Sequence, residues 1–404
     1  MNPASRNYLI VTGGYWAFTL TDGAIRMLVV LYFHLLGFSP FEVAMLFLFY
    51  EFFGIVTNLV GGWLGARIGL NLTMHIGMAL QVVALAMLTV PDAWLSVAYV
   101  MAAQALSGIA KDLNKMSAKA SVKTFATGGD SRLFHWVALL TGSKNALKGV
   151  GFFVGALLLQ VVGFRAALAI LAGLLLIVLI VTAALLPTGV GKMKTKPKFT
   201  QVFSKRGEIN WLAAARFFLF GARDVWFVVG LPVYLYAVLG WSFTQVGTFF
   251  ALWVIGYGMV QALAPKLLRQ SNRSHPPGGA SARFWALVLA VIPAAIAWAL
   301  AQGWPPATVV VGGLILFGIV FAINSAVHSY LILAYSDNDK VALNVGFYYM
   351  ANAGGRLAGT LLSGWAYQTH GLEGCLWWSA AFVVIAWGLS VRLPEVRGGH
   401  AADP

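Results

Sequence analysis

The chain has 404 residues, of which 60% are hydrophobic and 10% charged. A soluble core of this length needs far less apolar surface, whereas a bilayer accounts for it. The net charge of +14 would suggest nucleic acid in a soluble protein. Here the bases are scattered over several connections without interleaved aromatic readers, which argues against that partner. A single cysteine, Cys375, excludes an intrachain disulfide and a cysteine-based metal site.

Apolar runs of roughly 20 residues or more mark membrane-spanning helices. In chain order they fall near 8–36, 42–66, 70–90, 94–118, 133–161, 164–186, 209–238, 243–266, 283–302, 306–335, 341–369 and 372–392. The first run is too long for a signal peptide and has no small-residue cleavage pattern, so it reads as a span. With the N-terminus inside, seventeen Lys and Arg fall on cytoplasmic segments and only Arg165 falls outside. That is a positive-inside pattern. The expected fold class is an all-α integral membrane protein of twelve transmembrane helices. The expected location is an inner (plasma) membrane, with both termini cytoplasmic. The lipid bilayer is its surrounding partner and a monomer its expected state.

A basic linker divides the chain in half, and the halves resemble each other. "LLGFSPFEVA", Leu35 to Ala44, matches "VLGWSFTQVG", Val238 to Gly247, at an offset of 203 residues. Asp22 and Asp224 correspond within one residue. The repeat predicts two six-helix bundles, 1–186 and 209–404, joined by a cytoplasmic linker, 187–208. In such a duplication substrate binds near the midplane between the halves, and rocking gives alternating access.

Nine bases and four acids sit inside the spans: Arg26, Lys111, Lys115, Lys119, Lys144, Lys148, Arg216, Arg223 and Arg356 against Asp22, Glu51, Asp112 and Asp224. A charge at bilayer depth costs at least about 2.5–3.5 kcal/mol, so it normally faces a water-filled cavity or a partner. Lysine recurs every four residues in "KDLNKMSAKASVK", Lys111 to Lys123, and forms one slowly drifting helical stripe. Lys119 and Lys123 are expected to reach cytosol or snorkel to headgroups. Lys111 and Lys115 are expected to form an approach path that draws an anion inward.

Arg216, only ~10 Å from its helix start, is set aside. What remains is a midplane core of Arg26, Lys144, Lys148, Arg223 and Arg356. Arginine suits bidentate grip of phosphate or carboxylate, and lysine supplies a mobile point charge. Asn145, Asn324, Tyr348 and Asn352 add polar groups at the same depth and complete the expected substrate site. Asp22, Asp224 and His328 are candidates for coupling or charge pairing. Asp22 shares i,i+4 spacing with Arg26, and Asp224 is expected to meet a base on another helix. No metal-ligand spacing, nucleotide-binding loop or Ser–His–Asp set is present, so no enzyme, cofactor or metal is expected.

"GGWLGARIGLN", Gly61 to Asn71, resembles the signature loop of the major facilitator superfamily. Gly62, Leu64, Arg67 and Gly69 fit that pattern. Ala66 stands where an acid is usual, and Leu70 and Asn71 where bases are usual, which leaves the loop's charge relay degenerate. The resemblance implies a gating loop containing Gly62, Arg67 and Gly69. In "GVGFFVGALLLQ", Gly149 to Gln160, the spacing of Gly151 and Gly155 suits close helix packing.

Beyond the superfamily, the chain resembles the organoarsenical efflux permeases of the ArsJ type. The likeness is most specific in "NYLIVTGGYWAFTLTDGAIRMLVVLYFHLLGFSPFEVA", Asn7 to Ala44, and "GIAKDLNKMSAKASVK", Gly108 to Lys123. "FYYMANAGGRLAGTLLSGW", Phe347 to Trp365, adds to it. It implies export of 1-arseno-3-phosphoglycerate, a small anionic substrate. A partner glyceraldehyde-3-phosphate dehydrogenase would make it from arsenate. The resemblance assigns no residue roles. Two other readings share parts of the pattern. One is an organophosphate/phosphate antiporter or other organic-anion uptake carrier, which uses the same positive cavity. The other is a membrane-embedded enzyme acting on a lipid phosphate, which needs an acid or His beside the bases at one membrane face.

Overall fold

The computed structural model describes residues 3–37, 46–125, 130–193, 204, 206–228, 230–241, 243–271 and 277–396. Its described residues form helices and connecting turns, with no strand. Helices α1 (Pro3–Leu35), α2 (Leu48–Ile68), α3 (Leu70–Met87), α4 (Val97–Phe125), α5 (Asp130–Val162) and α6 (Phe164–Leu185) come first. After the linker come α7 (Gly207–Phe227), α8 (Gly230–Ala237), α9 (Phe243–Ser271), α10 (Gly279–Ala301), α11 (Pro306–Ala334) and α12 (Val341–Ser390). Among the described residues the predicted runs are helical, in a different division. The seventh run is two helices, α7 and α8. The last two runs are arms of α12, which kinks at Gly371 with φ 62 and ψ −159, a positive-φ conformation that glycine adopts without strain. Most of the repeated segment 35–44 lies outside the described residues.

Among the described residues, seven helices are long and apolar enough to cross a membrane. On α6, Leu174, Ile177 and Val181 are exposed; their helical spacing makes one lipid-facing stripe. Conversely, Asp22, Asp112, Lys119, Arg216 and Asp224 are buried. This apolar-out, charged-in arrangement suits a protein in lipid, where ionisable groups turn toward the bundle interior.

The helices divide into two compact units. Unit 1 holds residues 1–127, 143–203 and 336–350; unit 2 holds 128–142, 204–335 and 351–404. In unit 1, α1 and α5 touch through glycine. A Cβ on Gly151 would lie 2.6 Å from the Leu20 carbonyl oxygen and 3.1 Å from the Gly23 Cα. Unit 2 repeats the device between α7 and α12, where a Cβ on Gly359 would lie 3.0 Å from the Gly221 Cα and 3.1 Å from the Asp224 Cβ. The glycine spacing read in the sequence as close packing is used for that, and it brings charged side chains on the paired helices together.

The signature loop is docked by backbone. At the α2–α3 junction Gly69 takes φ 105, with Gly189 of the linker packed against it. The Leu70 N–H donates to Val190 O at 2.7 Å, and the Met193 N–H donates to Ala66 O at 2.9 Å. The Asn71 side chain donates to Pro187 O at 2.8 Å. The three positions that depart from the charged pattern are therefore the three that hold the first residues of the linker. Arg67 stacks over Trp63 at 5.0 Å, and Gly62 admits the Ala342 carbonyl and Gly346.

Two substitutions test these contacts. Gly151→Val should push α1 from α5 and destabilise the protein by about 1–3 kcal/mol, with Gly151→Ala milder; thermal unfolding in detergent measures both. Asn71→Ala removes one strap bond, worth about 1 kcal/mol, and should accelerate proteolysis within 187–208 without loss of the helical circular-dichroism signal.

Candidate functional site

The predicted site residues gather into two clusters, one in each unit. In unit 1 the centre is Asp22 on α1. One carboxylate oxygen accepts from the Tyr50 hydroxyl at 2.5 Å, the other from Lys148 Nζ at 3.1 Å. The glycine contact beside them explains the pairing, since Gly23 adjoins Asp22 and Gly151 lies three residues after Lys148. Asp22 and Arg26 share a helix face, yet Arg26 reaches another acid. Its Nη2 donates to Glu51 Oε1 at 3.1 Å. Lys111 Nζ lies 3.7 Å from both Glu51 Oε2 and Asp112 Oδ2, and Lys115 Nζ lies 2.5 Å from Asp112 Oδ1.

Aromatic rings hold these bases. Arg26 stands 5.2 Å from the Phe47 centroid and 5.0 Å from that of Tyr50, while Lys111 stands 3.8 Å over Tyr50. Such contacts add about 0.5–2 kcal/mol each. Lys115 and Lys119 lie 4.7 and 5.1 Å over Tyr349, which packs edge-on against Tyr348. Lys119 is only 5% exposed. The expectation that it reaches cytosol or snorkels is corrected: the Tyr349 ring gives it a place inside. The Lys123 side chain lies outside the described residues. Lys144 donates to Asn145 Oδ1 at 3.0 Å, one helical turn before Lys148.

In unit 2 the centre is Asp224 on α7, 1% exposed. Arg223 Nη2 meets Oδ1 at 2.5 Å, and Arg356 Nε of α12 meets Oδ2 at 3.0 Å. The rings of Phe220, Phe227 and Phe321 lie 5.1–5.7 Å from the Arg223 guanidinium. Two turns earlier Arg216, set aside in the sequence as too near its helix start, is 3% exposed. It donates to Asn352 Oδ1 at 2.9 Å and to Ser325 Oγ at 3.1 Å, and it faces Phe220 at 3.8 Å. Distance along a helix does not measure depth when neighbouring helices cover the residue, and that is why the sequence reading passed over it. Asn324 and His328, one turn apart on α11, are buried, with both Asn324 polar atoms and His328 Nδ1 unbonded by described groups.

The electrostatics of the two clusters differ. The unit 1 network sets Arg26, Lys111, Lys115 and Lys148 against Asp22, Glu51 and Asp112. In unit 2 Arg223 and Arg356 meet one carboxylate, Asp224, and Arg216, two turns earlier on α7, bonds Asn352 and Ser325. In both clusters the bases outnumber the acids. Several of the bases keep a wet edge, with side-chain exposures of 28% for Arg26 and 25% for Arg356. A set of partly exposed bases over buried carboxylates can hold oxyanions by charge-assisted hydrogen bonds.

The sequence pattern of the Major Facilitator Superfamily matches residues 11–326. The chain belongs to the Major Facilitator Superfamily. It is a multi-pass membrane transporter. Among solved facilitator-fold structures it resembles the human organic anion transporter MFSD10 (TETRAN), at 16% identity and a TM-score of 0.77 over 96% of this chain and 100% of that one. A bacterial homologue of the iron transporter ferroportin, in an outward-facing state, gives 16% and 0.74 over 97% and 99%. The proton:xylose symporter XylE gives 14% and 0.74 over 97% of each. At these identities the likeness is one of fold, shared by carriers of unlike cargo. No curated protein sequence matches significantly.

Asp224 sits between two arginines and supplies a direct test. Removing one partner of a buried pair costs about 3–5 kcal/mol. Asp224→Asn should therefore lower the unfolding temperature of the purified facilitator more than Asp22→Asn, which breaks one ion pair, with Lys148, rather than two. Equal shifts would contradict the shared-carboxylate geometry.

Proposed function

We propose that this facilitator exports an organic polyanion by alternating access, that the polyanion is 1-arseno-3-phosphoglycerate, and that export confers arsenate resistance. The observation that carries the reading is the surplus of bases in both clusters. It suits a cargo with an arsenate group, a phosphate and a hydroxyl, which bears roughly three to four negative charges at neutral pH. A neutral sugar or a metal cation gives no reason to set two arginines on one buried acid. The resemblance to ArsJ-type permeases supplies the particular substrate and the functional partner, a glyceraldehyde-3-phosphate dehydrogenase that forms it in the cytoplasm of a bacterial cell.

In this proposal Arg26, Lys144, Lys148, Arg223 and Arg356 grip the anionic ends. Asn145, Asn324, Tyr348 and Asn352 serve the hydroxyl and carbonyl groups, Lys111 and Lys115 form the approach path, and Gly62, Arg67 and Gly69 belong to the gating loop. Asp22, Asp224 and His328 balance charge or carry a coupling proton. Membrane potential alone favours outward movement, since each negative charge gains about 2.3 kcal/mol per 100 mV.

Cells carrying Arg223→Gln or Lys148→Gln at normal expression should lose arsenate resistance by at least about tenfold, the equivalent of one charge-assisted hydrogen bond. Unchanged resistance would displace the site. In everted vesicles, nigericin in potassium medium removes the pH gradient and keeps the potential. Export should persist under that treatment, and its collapse would establish obligatory proton coupling. Export absent under all conditions, with uptake of a phosphate ester in right-side-out vesicles, would instead assign an organic-anion uptake carrier.

A further inference from the structure

We infer that Glu51 is a displaceable internal anion that occupies an oxyanion seat formed by Arg26 and Lys111, and that substrate must exchange with it. The inference rests on the anion-carrier reading and adds a residue to which that reading gives no role.

The two acids of this part of unit 1 are held differently. Asp22 has 4% side-chain exposure and gives one oxygen to Tyr50 and the other to Lys148; it is built in. Glu51 has 19% side-chain exposure and stands in the first turn of α2. Its two oxygens address bases on two other helices, Arg26 of α1 at 3.1 Å and Lys111 of α4 at 3.7 Å. That is how two oxygens of a phosphate, arsenate or carboxylate would bridge the same pair.

The bases do not depend on Glu51 for their positions. Arg26 is set against Phe47 and Tyr50, and Lys111 against Tyr50 and Asp112. Withdrawal of the carboxylate therefore leaves two positioned, partly wet cations and the positive end of helix α2, a local field that favours any anion. Glu51 lowers the cost of an unfilled seat and, by competing, keeps substrate from binding too tightly to leave.

The test is isothermal titration of the purified full-length protein in nanodiscs with 3-phosphoglycerate. Glu51→Gln should bind about tenfold more tightly than wild type, equivalent to about 1.4 kcal/mol. Glu51→Asp keeps the charge but withdraws it by one methylene; it should tighten binding by a smaller factor, and it covers a failure of the glutamine variant to fold. The gain should vanish in the Arg26→Gln background, because neighbours that compete for one group are not additive. If wild type binds the anion and neither Glu51 variant binds it more tightly, Glu51 is a fixed brace and this inference falls alone. If neither wild type nor the variants bind any anion, the carrier reading falls with it.

Discussion

Each unit is organised around a buried carboxylate, on α1 or α7, that meets a base on a helix touching it through glycine. Asp22 bonds Lys148 beside the Gly23–Gly151 contact, and Asp224 bonds Arg356 beside the Gly221–Gly359 contact. Glycine removes the side chains that would hold two backbones apart, and the ion pair then closes at about 3 Å. Without the pair each helix would carry an uncompensated charge at bilayer depth; without the glycines the charges could not meet. Placement of the remaining bases follows from this arrangement, because Arg26, Arg223 and Lys144 lie within one turn of the paired residues.

Aromatic rings handle charge that the carboxylates do not absorb. Tyr50 serves three charged groups, as donor to Asp22 and as a face for Arg26 and Lys111. Phe220 does similar service for Arg216 and Arg223, and Tyr349 for Lys115 and Lys119. A ring face stabilises a cation without neutralising it, so the clusters stay positive while each base keeps a fixed place. For the proposed anion cargo that combination matters: full neutralisation by acids would abolish the attraction, and unsupported bases would be too costly in the membrane.

The signature loop shows a different economy. Where related loops use charged side chains, this chain uses the Ala66 carbonyl, the Leu70 N–H and the Asn71 amide to hold the start of the linker. These groups carry no net charge, so the strap makes no demand on neighbouring acids.

The sequence by itself determined the membrane class, the twelve apolar segments, the inventory of buried charges and the close glycine spacing. Hydropathy and helical periodicity are local properties, and each can be read from one segment at a time. It also placed Asp22, Lys148, Arg223, Asp224 and Arg356 among the residues that the two clusters contain. Only the tertiary structure decided who meets whom. Asp22 and Arg26 share a helix face in the sequence, yet their ion-pair partners, Lys148 and Glu51, arrive from other helices 126 and 25 residues away. The burial of Lys119 and Arg216 was likewise invisible, because depth along one helix says nothing of which neighbours cover it. Charge content is written in the chain, but charge pairing depends on contacts between helices that the order of residues does not state.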